Sequence, residues 1–171
     1  MNPTFRPPGT ARMPESLENA PDHRRRVATL LTLLASEDNQ RVLARRSGRE
    51  RLAFELARAW FDDVYVPSGR YLGGLKGDYS PEAAELFRDA FDPVELAAME
   101  RFHRFFELRV DMLPGPLLEE RIPIDERWRS LMRDAGYLIE DLGVDVEALR
   151  LRLGDGVRPP SEVSELIRIV G

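Results

Sequence analysis

Two histidines are the only imidazole side chains in this 171-residue sequence, and one of them has the spacing of a metal ligand. Glu100 and His103 form an E-x-x-H pair, which places both side chains on one face of a helix, as in di-iron carboxylate bundles. Glu107 lies one turn further along that face. Such bundles need a second E-x-x-H pair, and no other histidine stands in a suitable place. Glu100, His103 and Glu107 remain candidate ligands for one divalent ion, but the pattern favours a partly buried His103 bonded to a neighbouring carboxylate.

Other catalytic signatures are missing from the sequence. The absence of cysteine excludes thiolate nucleophiles, disulfides and cysteine zinc sites. Neither G-x-S-x-G nor H-E-x-x-H occurs, and the glycines at 69 and 74 have P-loop spacing with Leu75 in place of the lysine. We therefore expect no cofactor, and the sequence favours a non-enzymatic protein.

The most unusual segment is 60–79, WFDDVYVPSGRYLGGLKGDY. It holds three of the four tyrosines, two basic residues and four glycines. Asp62 and Asp63 stand near a helix C-terminus, where the helix dipole disfavours negative charge. We expect Arg70 to contact one of these two carboxylates, because a guanidinium offers paired donors. The glycines would let the loop 67–79 fold back over the helix end.

Two interpretations of this loop stay open. A long loop rich in Tyr, Arg and Gly has the composition of a recognition surface. It is equally typical of an Ω-like loop whose aromatic rings pack on the protein's own core. The candidate binding residues under the first interpretation are Asp62, Asp63, Tyr65, Arg70, Tyr71, Lys76 and Tyr79.

Arginines cluster in the N-terminal half and suggest a polyanion as a third kind of partner. The net charge is −5, with 13 basic against 9 acidic residues in 1–77 and 12 against 21 in 78–171. No nucleic-acid-binding motif accompanies the clusters, so we favour a solvated helix face, or one docked on the protein's own acidic half. The arginines concerned are Arg24, Arg25, Arg26, Arg41, Arg45, Arg46, Arg49 and Arg51.

The elements that must position these residues are helices, because the apolar residues recur with helical periodicity along the chain. Apolar stripes and caps predict helices from about Asp22 to Ala35, over 36–46, from the Ser47–Glu50 capping box to Val64, and over 80–91. Further helices are predicted over 92–112, near the centre of the bundle, and from Asp125 to Gly143. Residues 144–158 fit a short helix or a hairpin, and Ser161 caps a last helix.

The sequence therefore predicts an all-α protein, a compact bundle of about six or seven helices in one domain, 21–171. A Pro-rich extended arm, 1–20, precedes it, and one long Gly/Tyr-rich loop interrupts it. No uncharged run is long enough for a membrane span, and the cysteine-free composition favours the cytoplasm.

Three functions remain open at this point. The first is an interaction protein that binds a protein partner, or a second copy of itself as a homodimer, through the 60–79 loop. The second is a small-ligand or hydrolytic site at the same loop, and the third is a binder of nucleic acid or another polyanion.

Overall fold

The computed structural model describes residues 22–47, 52–73, 80–111 and 126–144. These ranges are 83% helical and contain no strand, which confirms the all-α prediction. None of their helices has the length and apolar character that crossing a membrane requires. The N-terminal arm, residues 74–79 and the segments predicted after residue 144 lie outside the described ranges. The α-helices are α1 (His23–Ala35), α2 (Glu37–Ser47), α3 (Leu52–Arg58), α4 (Pro81–Asp89), α5 (Pro93–Val110) and α6 (Glu126–Asp141).

Local sequence sets most of the helix ends. The side chains of Asp22 and Ser80 accept backbone N–H groups in the first turns of α1 and α4. At α5, Asp92 and Glu95 form a reciprocal capping box. Gly143 closes α6 with a φ of 63°, the left-handed conformation that favours glycine. These caps are confirmed.

Ser47 is the last residue of α2. Its side chain and residues 48–51 lie outside what the structure describes, and so does the capping box predicted between Ser47 and Glu50.

Helix α3 does not continue as a regular α-helix, contrary to its apolar stripe. Residues Ala59–Val64 form a π-helical segment, called here the π turn, in which the Tyr65 N–H donates to the Trp60 carbonyl at 2.9 Å. A π turn holds one residue more than an α turn. Four consecutive side chains, Ala59 to Asp62, are buried there. A 3₁₀ turn over Val66–Ser68 follows.

Helix α1 is more buried than α5, the helix over 92–112 that was predicted to be central and most buried. Nine of its 13 residues are buried, against six of 18 in α5. The reason is its position, since α1 packs against α2, α6 and the π turn. Helix α5 packs mainly on α6 and leaves one face in solvent.

Both tryptophans are fully buried, as their positions on apolar stripes predict. Trp128 of α6 packs edge-on against Phe106 of α5, with ring centroids 6.4 Å apart. His23, by contrast, is buried rather than solvated. Its ring makes an edge contact with Phe87 of α4, with centroids 5.1 Å apart. The first turn of α1 is therefore covered by α4.

Candidate functional site

The two acids of the π turn have different partners, and neither partner is Arg70. Asp62 is buried and accepts the backbone N–H of Leu72 at 2.6 Å. Asp63 forms an ion pair with Arg26 of α1, in which both side chains are mostly buried. The predicted contact between Arg70 and one of these carboxylates is wrong, because sequence spacing could not show that α1 supplies a cation there.

Arg70 does contact a carboxylate, at a different place. Its guanidinium pairs with Asp111 at the end of α5. It also lies over the ring of Phe61, 5.9 Å from the centroid, within the range of a cation–π interaction. Arg70 thus joins the turn after the π segment to α5.

The described part of the loop, 67–73, contacts the π turn. Gly69 and Gly73 have φ values of 67° and 92°, which side chains rarely adopt. The Ser68 hydroxyl donates to the Phe61 carbonyl and accepts the Arg70 N–H. These bonds satisfy backbone groups that the end of a helix leaves unpaired.

The predicted tyrosines do not share one surface. Tyr65 is buried, whereas Tyr71 is 53% exposed. Lys76 and Tyr79 lie outside the described ranges. Of the described loop residues selected from the sequence, Tyr71 alone is exposed, whereas Asp62 and Tyr65 are buried.

A polar cleft of about 360 Å³ opens on the other side of Tyr65. The 65–68 turn, the end of α4 and the middle of α5 form its walls. This volume lies in the range of pockets that hold small molecules. The lining residues are Tyr65, Pro67, Ser68, Arg88, Leu96, Glu100, His103, Arg104 and Glu107.

Aromatic stacking builds the floor of the cleft. Tyr65 stacks on Trp60 with ring centroids 4.9 Å apart and an interplanar angle of 4°. The His103 ring lies 4.7 Å from the Tyr65 ring. Beneath them, the Trp60 indole N–H donates to Nδ1 of His103 at 3.2 Å.

These contacts determine the tautomer of His103. An indole nitrogen can only donate a hydrogen bond, so Nδ1 must be the acceptor and Nε2 carries the proton. Nε2 lies 3.1 Å from Oε1 of Glu107 and donates to it. Both ring nitrogens are thus engaged, and His103 has no free lone pair with which to act as a general base.

Burial sets the protonation states of His103 and Tyr65, the two titratable side chains in the floor of the cleft. It lowers the pKa of His103, and the nearby Glu107 carboxylate opposes this effect only in part. Burial also raises the pKa of the Tyr65 hydroxyl to about 12. At neutral pH, His103 is therefore uncharged and Tyr65 keeps its proton as a hydrogen-bond donor.

Charged side chains surround the mouth of the cleft. Arg104 pairs with Glu100 at 2.9 Å, one turn apart on α5. Glu107 is held by His103, and its side chain is partly exposed. Within the described residues, Arg88 of α4 forms no ion pair, so it is an unpaired cation at the rim.

The E-x-x-H residues do not form a metal centre. In the ranges the structure covers, no group of three His, Asp or Glu side chains is arranged to hold an ion. Glu100 is paired with Arg104, and both His103 nitrogens are engaged. The expected buried histidine bonded to a carboxylate is confirmed.

Three arginines of the N-terminal clusters are paired with the protein's own acids. Arg24 bonds both oxygens of Glu95 at 2.8 Å and holds the pKa of that carboxyl below its usual range. Arg26 pairs with Asp63, as described above, and Arg41 pairs with Glu37. Arg24 therefore contacts the acidic half of the chain, residues 78–171. The side chains of Arg45, Arg46, Arg49 and Arg51 lie outside what the structure describes.

No family model, no curated protein and no solved structure matches the chain. The geometry of the cleft therefore carries the functional conclusion. Of its residues, only Tyr65, Glu100, His103 and Glu107 were selected from the sequence. Arg88 and Ser68 were missed because no spacing in the sequence links α4 and the 65–68 turn to α5. Arg104 was missed although it lies one turn from Glu100 on α5.

Proposed function

We propose that the protein is a non-enzymatic binding protein whose site is the polar cleft above His103. Its ligand is a small molecule with an anionic group and a hydrogen-bond donor group, such as an amino acid or a small hydroxy acid. We place this function in the cytoplasm, since the cysteine-free chain fits a reducing compartment.

The observation that supports this proposal is the pairing pattern in the cleft. His103 is occupied at both nitrogens, and Glu100 and Arg104 are paired with each other. Arg88, in contrast, forms no ion pair among the described residues, and the Tyr65 hydroxyl has no hydrogen-bond partner there. A cation and a neutral donor in one concave site favour an acidic group on the ligand.

The acidic side of the cleft limits the ligand further. Glu107 keeps one carboxylate oxygen beyond its bond to His103, and its side chain is partly exposed. A second anionic group on the ligand would be repelled there, whereas an amino or hydroxyl group would be accepted. This contrast favours a ligand with one acidic group and one donor over a dicarboxylate.

Nuclear magnetic resonance can test the proposal with a defined panel of free amino acids, hydroxy acids and dicarboxylates. We expect a member of the first two classes to shift the amide signals of Ser68, Arg88 and Glu107. Arg88→Ala should weaken that binding by about tenfold or more, because it removes a charge-assisted bond. Tyr65→Phe should weaken it less. Arg133→Ala, on the exposed surface of α6, is the matched control and should bind normally.

The same samples test the absence of catalysis. The ligand's own signals should remain unchanged during long incubation with the protein. Failure of the whole panel to shift cleft amides, or full binding by Arg88→Ala, would refute the ligand proposal. Chemical conversion of the ligand that His103→Asn abolishes would refute the non-enzymatic part.

A further inference from the structure

The face of the molecule formed by α5 and α6 carries large apolar side chains in solvent. Leu108 and Tyr137 are 69% and 63% exposed, and Val94 is 77% exposed. Val94, Arg101 and Leu108 follow one another at seven-residue intervals and therefore share one stripe of α5. Exposed apolar residues gathered along one face, unlike scattered ones, indicate an interaction surface.

A shallow groove of about 230 Å³ runs between the two helices along this face. The Arg109 guanidinium donates to the Ser130 hydroxyl at 3.3 Å near one end. Ala98 and Asp141 line the other end. Helices α5 and α6 are therefore antiparallel, and about two turns from the Arg109–Ser130 contact Arg101 lies level with Tyr137.

The charges on the face alternate along the groove. Asp134 and Asp141 lie about one turn on either side of Tyr137 on α6. Arg101 lies opposite on α5, and all of them line the groove. In the part of the chain that the structure describes, none of these three charges is in an ion pair.

We propose that this face pairs with the same face of a second copy of the chain. A two-fold axis parallel to the groove would place α5 of each copy over α6 of the other. Arg101 would then lie on the ring of Tyr137 of the second copy, between its two aspartates. A surface that offers both the cation and its acceptors is self-complementary, as a two-fold interface requires. A partner of a single charge sign would match only half of it.

The experiment is sedimentation of the full chain over a series of concentrations, with charge-reversed variants. Variant one is Arg101→Asp, and variant two combines Asp134→Arg with Asp141→Arg. Wild type should dimerise reversibly. Each variant alone should dissociate more readily, with a dissociation constant raised by about tenfold or more.

An equal mixture of the two variants is the decisive sample. In a dimer of one copy of each variant, both symmetry-related halves of the interface join opposite charges. The mixture should therefore form a one-to-one dimer. Arg133→Asp, on the neighbouring position of α6, is the matched control and should dimerise like wild type. Circular dichroism checks that every variant keeps its helices.

Three results would overturn the proposal. One is a wild type that stays monomeric at every concentration. Another is a dimer unaffected by either charge reversal, which would place the interface elsewhere. The third is a mixture in which both variants remain monomeric.

Discussion

The Trp128 indole N–H donates to the side-chain oxygen of Gln40 at 2.9 Å and so joins α6 to α2 inside the core. The amide nitrogen of Gln40 donates in turn to the carbonyls of Leu33 and Leu34, each at 3.0 Å. These carbonyls belong to the last turn of α1 and have no acceptor role left within their own helix. One fully buried amide thus satisfies polar groups of two other helices.

Replacing Gln40 by Leu should lower the free energy of unfolding by about 2 to 4 kcal/mol, because it leaves buried polar groups unpaired. Urea denaturation measures the loss. In a double-mutant cycle with Trp128→Phe, the two losses should be less than additive by about 1 kcal/mol. Strict additivity would show that the bond between these side chains contributes nothing.

Removing the indole donor beneath the cleft should raise the pKa of His103. The Trp60 N–H can only donate, so it opposes a proton on Nδ1. In Trp60→Phe that opposition is gone, and the imidazolium becomes easier to form. A proton NMR titration of the imidazole measures the change. Trp128→Phe is the control, and it should leave the titration of His103 as in wild type. A pKa that falls or stays constant in Trp60→Phe would contradict the assigned tautomer.

Stability should decline as the pH falls below about 6.5, the ordinary pKa of histidine. Burial lowers the folded-state pKa of both His23 and His103. The unfolded chain therefore takes up protons first. The stability that these two histidines contribute is fully present above that pH and is lost progressively as the pH falls through their lower folded-state pKa values. Urea denaturation from about pH 8 to about pH 5 measures the slope.

The variant His23→Phe measures how much His23 contributes to the pH dependence of the free energy of unfolding. The variant keeps an aromatic ring against Phe87 and removes Nδ1 of His23, a buried nitrogen with no hydrogen-bond partner. Its stability should depend less steeply on pH than that of wild type. An unchanged slope would assign the effect to other groups.

The Asp62 carboxylate should hold the turn after the π segment in place. In Asp62→Leu the Leu72 N–H loses its acceptor, and its hydrogen exchange should become faster while amides of α6 exchange as before. Asp62→Asn keeps an acceptor oxygen and should protect the Leu72 amide better than Leu does. Equal exchange in both variants would mean that the carboxylate does not fix the turn.

The sequence was sufficient to predict the positions of the helices, because the signals that begin and end a helix are local. Caps at Asp22, Ser80 and Asp92, the glycine after α6 and the apolar stripes act within a few residues of each helix end. Helix bounds in the structure accordingly lie within one or two residues of the predicted ones for α1, α4, α5 and α6. The burial of both tryptophans follows from the same stripes.

Partners distant in the sequence were beyond such local signals. Asp63 meets Arg26, and Trp60 meets His103, 43 residues further along the chain. Arg70 was the candidate cation because it lies close to Asp62 and Asp63 in the sequence. In the fold, however, the docking of α1 places Arg26 beside Asp63. The cleft was missed for the same reason, since Arg88 joins it only through the packing of α4.

Four consecutive residues of the π turn, Trp60 to Asp63, are all held by side chains or backbone groups from other parts of the chain. Their partners lie in α5, in the turn after the π segment and in α1. Nothing local favours the wider hydrogen-bond register, which is rare in helices generally. We therefore expect a peptide of residues 52–66 to lack the π turn. In the folding reaction the cleft would then be among the last features to form, after the helices have docked.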